Sequence, residues 1–409
     1  KGKYCKTPQQ LFEHILKNII QKSHSSLLNI INGTGIVLHT GFGRAPFKGQ
    51  TLKNIAGKME GYVNLEYDLN TGKRGDRQEH IRNHVSAICG SESALIVNNN
   101  AAAVMLAINE IAERGEVIVS RGQLVEIGGS FRIPDIIQKS GAKLKEIGTT
   151  NRTHLMDYVN AINDMTKLIL WVHTSNYVIK GFTSEVHLAE LVKIGKKYNI
   201  PVMVDWGSGS LVDMDKLNIV DEIPVKKIMA NEPDILTFSG DKLIGGPQSG
   251  LVIGKSKWIH KLQKNILYRV LRCDKITIGL FEETLRTYSR ESFKDGNLSL
   301  KMLSTKQSVL KNRASKIFNS LKNKKKKELG MKIISSKVEA GSGSVPEKTI
   351  DSIALSFKPV SMTVSELAYL FRTGSEPVVG YVSNEKFYID LKAILPKQIN
   401  KLIKAIEII

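Results

Sequence analysis

Cysteine is scarce in this chain. Only Cys5, Cys89 and Cys273 occur among 409 residues, and they lie far apart. That spacing excludes a disulfide framework and a cysteine-built zinc site, and it fits a reducing cytoplasm. The nine histidines show no metal-ligand spacing, so no metal is expected. Long apolar runs are also missing. None reaches the length of a membrane span, and the polar, lysine-rich start is no secretory signal. Acidic residues are in short supply, with 39 Asp and Glu against 59 Lys and Arg, a formal net charge of +20. Such an excess favours a polyanionic partner. The lysines are scattered, however, so a surface that is basic throughout stays open as the alternative. The run Lys322-Asn323-Lys324-Lys325-Lys326-Lys327 reads first as a solvated helix end or loop and second as an RNA contact. The chain opens on Lys1 rather than Met and reads as a piece of a longer protein.

What is present is an ordinary globular composition, 42% apolar and 24% charged, with room for a large domain and a smaller one. Apolar residues Leu11, Ile15, Ile19 and Ile20 recur at helical spacing between Pro8 and Leu28. From about Arg77 helical and extended patterns alternate. Strands are expected at 94–97, 116–120, 143–147, 168–172 and 201–205, with helices between them. This order predicts an α/β fold whose mostly parallel sheet is covered on both faces, with ligand groups in the loops after the strands. Beyond Lys257 the pattern turns helical and then mixed. The expected division is a helix and linker over 1–30, a large catalytic domain over 31–285 and a small α+β domain over 286–409.

One loop stands out. Thr237-Phe238-Ser239-Gly240-Asp241-Lys242-Leu243-Ile244-Gly245-Gly246-Pro247 places a lysine between a serine and a Gly-Gly-Pro turn, with apolar runs on either side. A lysine desolvated in this way can form a Schiff base with an aldehyde cofactor. By itself the segment reads equally as a surface lysine in a glycine-rich turn. Other strand ends add to it. Asn98-Asn99-Asn100-Ala101 opens a helix whose N-terminal amides suit a phosphate, Asn99 and Asn100 among them, or an asparagine there is a plain cap. Asn176 suits a phenolate-type oxygen, or it is a turn residue. Asp205 suits a protonated pyridine nitrogen, or it caps a helix. Ser239 suits a cofactor phosphate. Phosphate loop, ring-oxygen partner, strand-end aspartate and lysine, in that order, form the arrangement of fold-type-I pyridoxal-phosphate enzymes. Arg44, the Lys73-Arg74-Gly75-Asp76-Arg77 stretch and the Arg269/Arg272 pair supply guanidinium forks for an oxyanion, or surface salt bridges. The i, i+3 spacing predicts that Arg269 and Arg272 share one helix face.

At these residues the chain resembles the bacterial selenocysteine synthases, the L-seryl-tRNA(Sec) selenium transferases, over nearly its whole length. The matching stretches are Ile31–Thr40, Gly72–Gly75, Val97–Ala102, Ser120–Pro134, Gly148–Thr153, His173–Tyr177, Ser239–Gly250 and Gly343–Glu347. The resemblance implies an aspartate-aminotransferase-like large domain that holds pyridoxal 5'-phosphate on Lys242. It implies conversion of seryl-tRNA(Sec) to selenocysteinyl-tRNA(Sec) with selenophosphate, through dehydroalanyl-tRNA. Lys242 would carry the proton, assisted by Asp241. Arg44, Arg269 and Arg272 would grip selenophosphate, with Arg74 and Arg77 as lesser candidates. A cytoplasmic pentamer of dimers is implied, with active sites at dimer interfaces.

Two departures bear on this. Gly41-Phe42 stands where most relatives carry Asn-Leu, and Asp76 where they carry Ser, which puts an acid beside Arg74 and Arg77. The first thirty-one residues leave little room for the family's tRNA-recognising head, so weak tRNA binding is expected. The rival readings are a related pyridoxal-phosphate lyase acting on a small aminated or phosphorylated acid, and a non-catalytic tRNA-binding scaffold. An intact Lys242 and Asp205 speak against the scaffold.

Overall fold

The computed structural model describes all residues except 1–6, 24, 128–130, 175, 215–216, 218–221, 290–292 and 342–348. The matching stretch Gly343–Glu347, residues Gly128–Ser130, Ser175 and Cys5 therefore lie outside the described residues. Packing divides the chain into two units. One holds residues 36–309 with 336–352, and the other holds residues up to 35, 310–335 and 353–409.

The larger unit is built on a seven-stranded sheet: β1 (Ser93–Val97), β2 (Glu116–Ser120), β3 (Lys143–Ile147), β4 (Thr166–Val172), β5 (Val202–Asp205), β6 (Ile235–Ser239) and β7 (Gly250–Gly254). Their spatial order is β1-β7-β6-β5-β4-β2-β3. Strand β7 runs antiparallel to both β6 and β1, and the other neighbouring pairs are parallel. The central strands β1, β5, β6 and β7 are buried along their whole length because both faces are covered, while the edge strand β3 keeps Lys143 and Glu146 exposed. Alternation still sorts them. Ile96, Ile118, Ile169, Val204 and Phe238 enter one core, while Leu95, Val97, Val119, Leu170 and Met203 enter the other. On the first face lies the helix Glu79–Cys89, which buries Ile81, Val85 and Cys89; on the second lies Asn100–Ala112.

A second sheet holds β8 (Lys332–Val338), β9 (Ile350–Phe357), β10 (Tyr381–Ser383) and β11 (Lys386–Asp390) in the order β8-β9-β11-β10, with residues 332–335, 353–357, 381–383 and 386–390 in the smaller unit. Its core includes Leu355, Phe357, Phe371, Phe387 and Ile389. The helix Pro8–Ser23 is present, with Leu11, Phe12, Ile15, Leu16 and Ile19 exposed.

The observed division departs from the expected boundaries at 30 and 285. Ile31 and Asn32 pair in parallel with Val378 and Val379, which ties the residues before Gly35 to the C-terminal unit. Residues 286–309 stay with the larger unit, where Asn297 and Tyr288 hold the loop that carries Lys242.

Candidate active site

β5 ends on Asp205 and β6 on Ser239, and β1 leads into the helix Asn100–Ala112, so three strand ends deliver side chains to one edge of the sheet. Asp205 is only 3% exposed. Asn100 Nδ2 donates to its Oδ1 at 2.9 Å, and Thr237 Oγ1 donates to the same oxygen at 3.2 Å. Both contacts land on Oδ1, which leaves Oδ2 for a further donor. Burial lifts the Asp205 carboxyl above its usual range, against the pull of Asn100, Lys242 and Thr237. Asn99 accepts from the Ala102 amide at 2.9 Å and is the helix cap. The asparagine that reaches Asp205 is thus Asn100. The first-turn amides, including that of Ala101, have no acceptor within the helix and suit an anion.

The loop between β6 and β7 presents Lys242. Residues Asp241 to Pro247 are all buried. The Gly245 amide donates to the Lys242 carbonyl at 2.9 Å and the Gly246 amide to that of Gly240 at 2.9 Å. Gly245 sits at φ +74°, where a side chain would be strained. Tyr288 and Asn297 close the loop from outside, donating to the Ile244 carbonyl at 2.7 and 2.6 Å. Burial and then the Arg44 charge push the Lys242 amine below its ordinary range, opposed by Asp205, Asp241 and Glu222. Lowering in this sense favours the neutral form of the amine, the form that carbonyl chemistry uses.

Arg44 reaches this loop through Asp241, Nη1 to Oδ2 at 2.6 Å. It follows Gly43, and both residues have positive φ, +81° at Gly43 and +57° at Arg44. For arginine that conformation costs about 1 kcal/mol, and such strain is typical of functional positions. His173, just past β4, stacks on Trp206 with ring centroids 3.9 Å apart, and Trp206 in turn stacks on Trp171. Burial, and secondarily the Lys242 charge, drop the His173 pKa to about 4.

Three of the remaining arginines gather on one carboxylate. Glu66 accepts from Arg74, Arg77 and Arg272. Among the described residues no hydrogen bond or ion pair joins this group to Lys242. Arg269 and Arg272 do not share a helix face: the helix ends at Leu271, and Arg272 follows in extended backbone. Arg269 is exposed. Asp76 pairs with Arg82 at 2.6 Å and accepts from Gln263, so it draws nothing from Arg74 or Arg77. Asn176 Nδ2 donates to the Glu126 carbonyl at 2.7 Å, while its Oδ1 is buried without a partner.

Asn100 Oδ1, His173 Nδ1 and Arg44 Nε are likewise buried polar atoms with no hydrogen-bond partner. Orphaned groups so concentrated call for a polar ligand. Beside a desolvated lysine and a strand-end carboxylate, they fit a phosphorylated pyridine aldehyde. The sequence model of the family described as L-seryl-tRNA selenium transferase (SelA) matches residues 30–395. The chain belongs to that family. The L-seryl-tRNA(Sec) selenium transferase of Carboxydothermus hydrogenoformans is 44% identical over 378 residues, covering 92% of this chain and 81% of the relative. That of Desulfotalea psychrophila is 42% identical over 389 residues, 95% of this chain and 83% of the relative. Among solved structures, a D-glucosaminate-6-phosphate ammonia-lyase superposes with a TM-score of 0.66 at 17% identity, over 95% of this chain and 96% of the lyase. The last likeness shows the fold alone. That fold is the fold-type-I architecture of pyridoxal-phosphate enzymes, and members of the selenium transferase family are pyridoxal-phosphate-dependent transferases.

His173, Trp206, Thr237 and Glu66 were not singled out from sequence. His173 lay inside a matching stretch and past a strand end, which is the signal that would have marked it.

Proposed function

We propose that this chain converts seryl-tRNA(Sec) to selenocysteinyl-tRNA(Sec) with selenophosphate, in the cytoplasm, as a pentamer of dimers. The reading is carried by the meeting of Lys242, Asp205 and Arg44 in a chain that is 44% identical to a selenium transferase over 92% of its length.

When bound, pyridoxal phosphate supplies an electron sink that acidifies the α-carbon of an amino acid joined to it. Lys242 would hold it, and the first-turn amides of Asn100 and Ala101, with Ser239, would receive its phosphate. Asp205 would pair with the pyridine nitrogen, while Asn100 and Thr237 fix the carboxylate. His173 lies flat on Trp206 and offers a ring face near the lysine. Asn176 stays a candidate for the ring oxygen only if its amide leaves the Glu126 carbonyl.

Once released, Lys242 takes the serine α-proton on its neutral Nζ, and hydroxide leaves the β-carbon. Asp241 keeps Arg44 aimed at the loop, so that a cation stands near the lysine where an anion would enter. Arg44, Arg269 and Arg272 receive selenophosphate, and Arg74 and Arg77 stand behind. Among the described residues no hydrogen bond or ion pair joins the Glu66 group to Lys242, and a second copy completing the site accounts for both groups.

The test is incubation of the full-length protein with seryl-tRNA(Sec) and selenophosphate, followed by analysis of the aminoacyl group. Selenocysteine is expected. Unchanged serine, or ammonia release from a small aminated acid instead, overturns the reading.

A further inference from the structure

Glu66 precedes a two-strand hairpin in which Tyr67–Asp68 pairs with Lys73–Arg74. One carboxylate there meets three guanidinium groups. Arg77 is bound most fully, Nε to Oε1 at 2.8 Å and Nη2 to Oε1 at 2.5 Å, and its Nη1 donates to the Cys273 carbonyl. Arg74 Nη2 meets Oε2 at 2.8 Å, and that side chain is 74% exposed. Arg272 has the longest contact, Nη1 to Oε1 at 3.2 Å, and its Nε is buried with no acceptor. The bonds from Arg77 and then Arg74 hold the Glu66 carboxyl below its usual range, against the effect of burial.

Arg44 shows the same half-satisfied geometry, with Nη1 on a carboxylate and Nε buried without a partner. A guanidinium gripped at one Nη and open along its Nε edge is oriented yet free to bind a tetrahedral oxyanion. Arg77 is the buttress. Its donors are spent on Glu66 and on the carbonyl next to Arg272, so it fixes the hub and contributes little to a ligand.

We propose that Glu66 is a positioning residue for selenophosphate. It gathers Arg77 and Arg272 into a fixed fan and leaves the Nε edge of Arg272 to the anion, as Asp241 does for Arg44. This rests on the assignment of Arg272 to selenophosphate made above. The bland alternative is that Glu66 only ties down its hairpin.

Steady-state kinetics on the full-length enzyme, varying each substrate separately, distinguish these. Glu66→Gln keeps the size and a hydrogen-bond acceptor and removes the charge. Its expected effect is a rise of about tenfold or more in KM for selenophosphate, the scale of a weakened charged hydrogen bond. The KM for seryl-tRNA and kcat should stay within about twofold. Glu66→Asp should recover part of the loss. Arg272→Ala should raise the same KM at least as far. A raised selenophosphate KM in Arg272→Ala alone overturns the role of Glu66 and leaves the function standing. An unchanged KM in Arg272→Ala overturns both this inference and the assignment of Arg272. A fall in kcat or a shift in both KM values, together with a lowered urea midpoint, reduces Glu66 to a structural tie and also overturns the proposal.

Discussion

His173 allows a quantitative test of the site's electrostatics that needs no substrate. Its pKa stands near 4 against an ordinary 6.5, chiefly because the imidazole is buried against Trp206. The shift is downward, so the unfolded chain takes up a proton near pH 6.5 that the native chain refuses. The stability gained by keeping this ring neutral is therefore complete above 6.5 and is lost as pH falls through about 4. The slope is about 1.4 kcal/mol per pH unit, and over the whole window the loss sums to roughly 3 kcal/mol. His173→Phe keeps a flat ring for the stack and removes the titration. Urea unfolding of both proteins in cofactor-free form, at half-unit steps from pH 7.5 to about 3.5, gives the difference directly. Asp205 has the opposite tendency, its raised pKa favouring the native state below its unfolded value and less as pH rises, but it is common to both proteins and cancels. Wild type should lose roughly 3 kcal/mol more than the variant across the window. Parallel curves would refute the claim that His173 is held neutral by its surroundings.

Four further outcomes are expected. Lys242→Ala should remove both activity and the visible absorbance of a lysine-bound pyridoxal; retention of that band would mean another amine holds the cofactor. Asp205→Asn should keep the contacts from Asn100 and Thr237 nearly intact yet reduce kcat by about a hundredfold or more, comparable with the loss of one preorganised electrostatic contact, and a near-normal kcat would exclude a charged partner for the ring nitrogen. A Cβ at Gly240 would overlap Ser249 Oγ and come within 2.9 Å of the Phe281 ring, so Gly240→Ala should cost about 1–3 kcal/mol by urea unfolding and weaken cofactor retention. Asn297→Ala leaves the Ile244 carbonyl with Tyr288 alone and should cost about 1–2 kcal/mol by the same measurement.

The large sheet was legible because its strands are buried on both faces and read as short apolar runs between helices. Lys242 and Asp205 were legible because each follows such a run, where this fold collects ligands. Asn99 and Asn100 were not separable by sequence. They are the same residue type in adjacent positions, and only the helix start decides which one caps and which one reaches Asp205. Glu66 carried no local signal, since an acid before Tyr67-Asp68 looks like any surface residue until Arg272 arrives from 206 positions away. The end of the helix at Leu271 was hidden too. No glycine or proline marks it, and Arg272 is drawn into extended backbone beside the buried Cys273. The unit boundaries depend on the Ile31 to Val378 pairing, which lies beyond the reach of local pattern.

The antiparallel placement of β7 has a practical consequence. The loop bearing Lys242 is a return between adjacent strands, clamped at its mouth by the pairing of Ser239 with Gly250. From Gly240 to Ser249 every residue except Gln248 is buried. A fluorophore or crosslinker attached at position 248 would thus ride on the reactive hairpin from the solvent side, and that single position offers a handle for following the lysine's loop during turnover without entering the site.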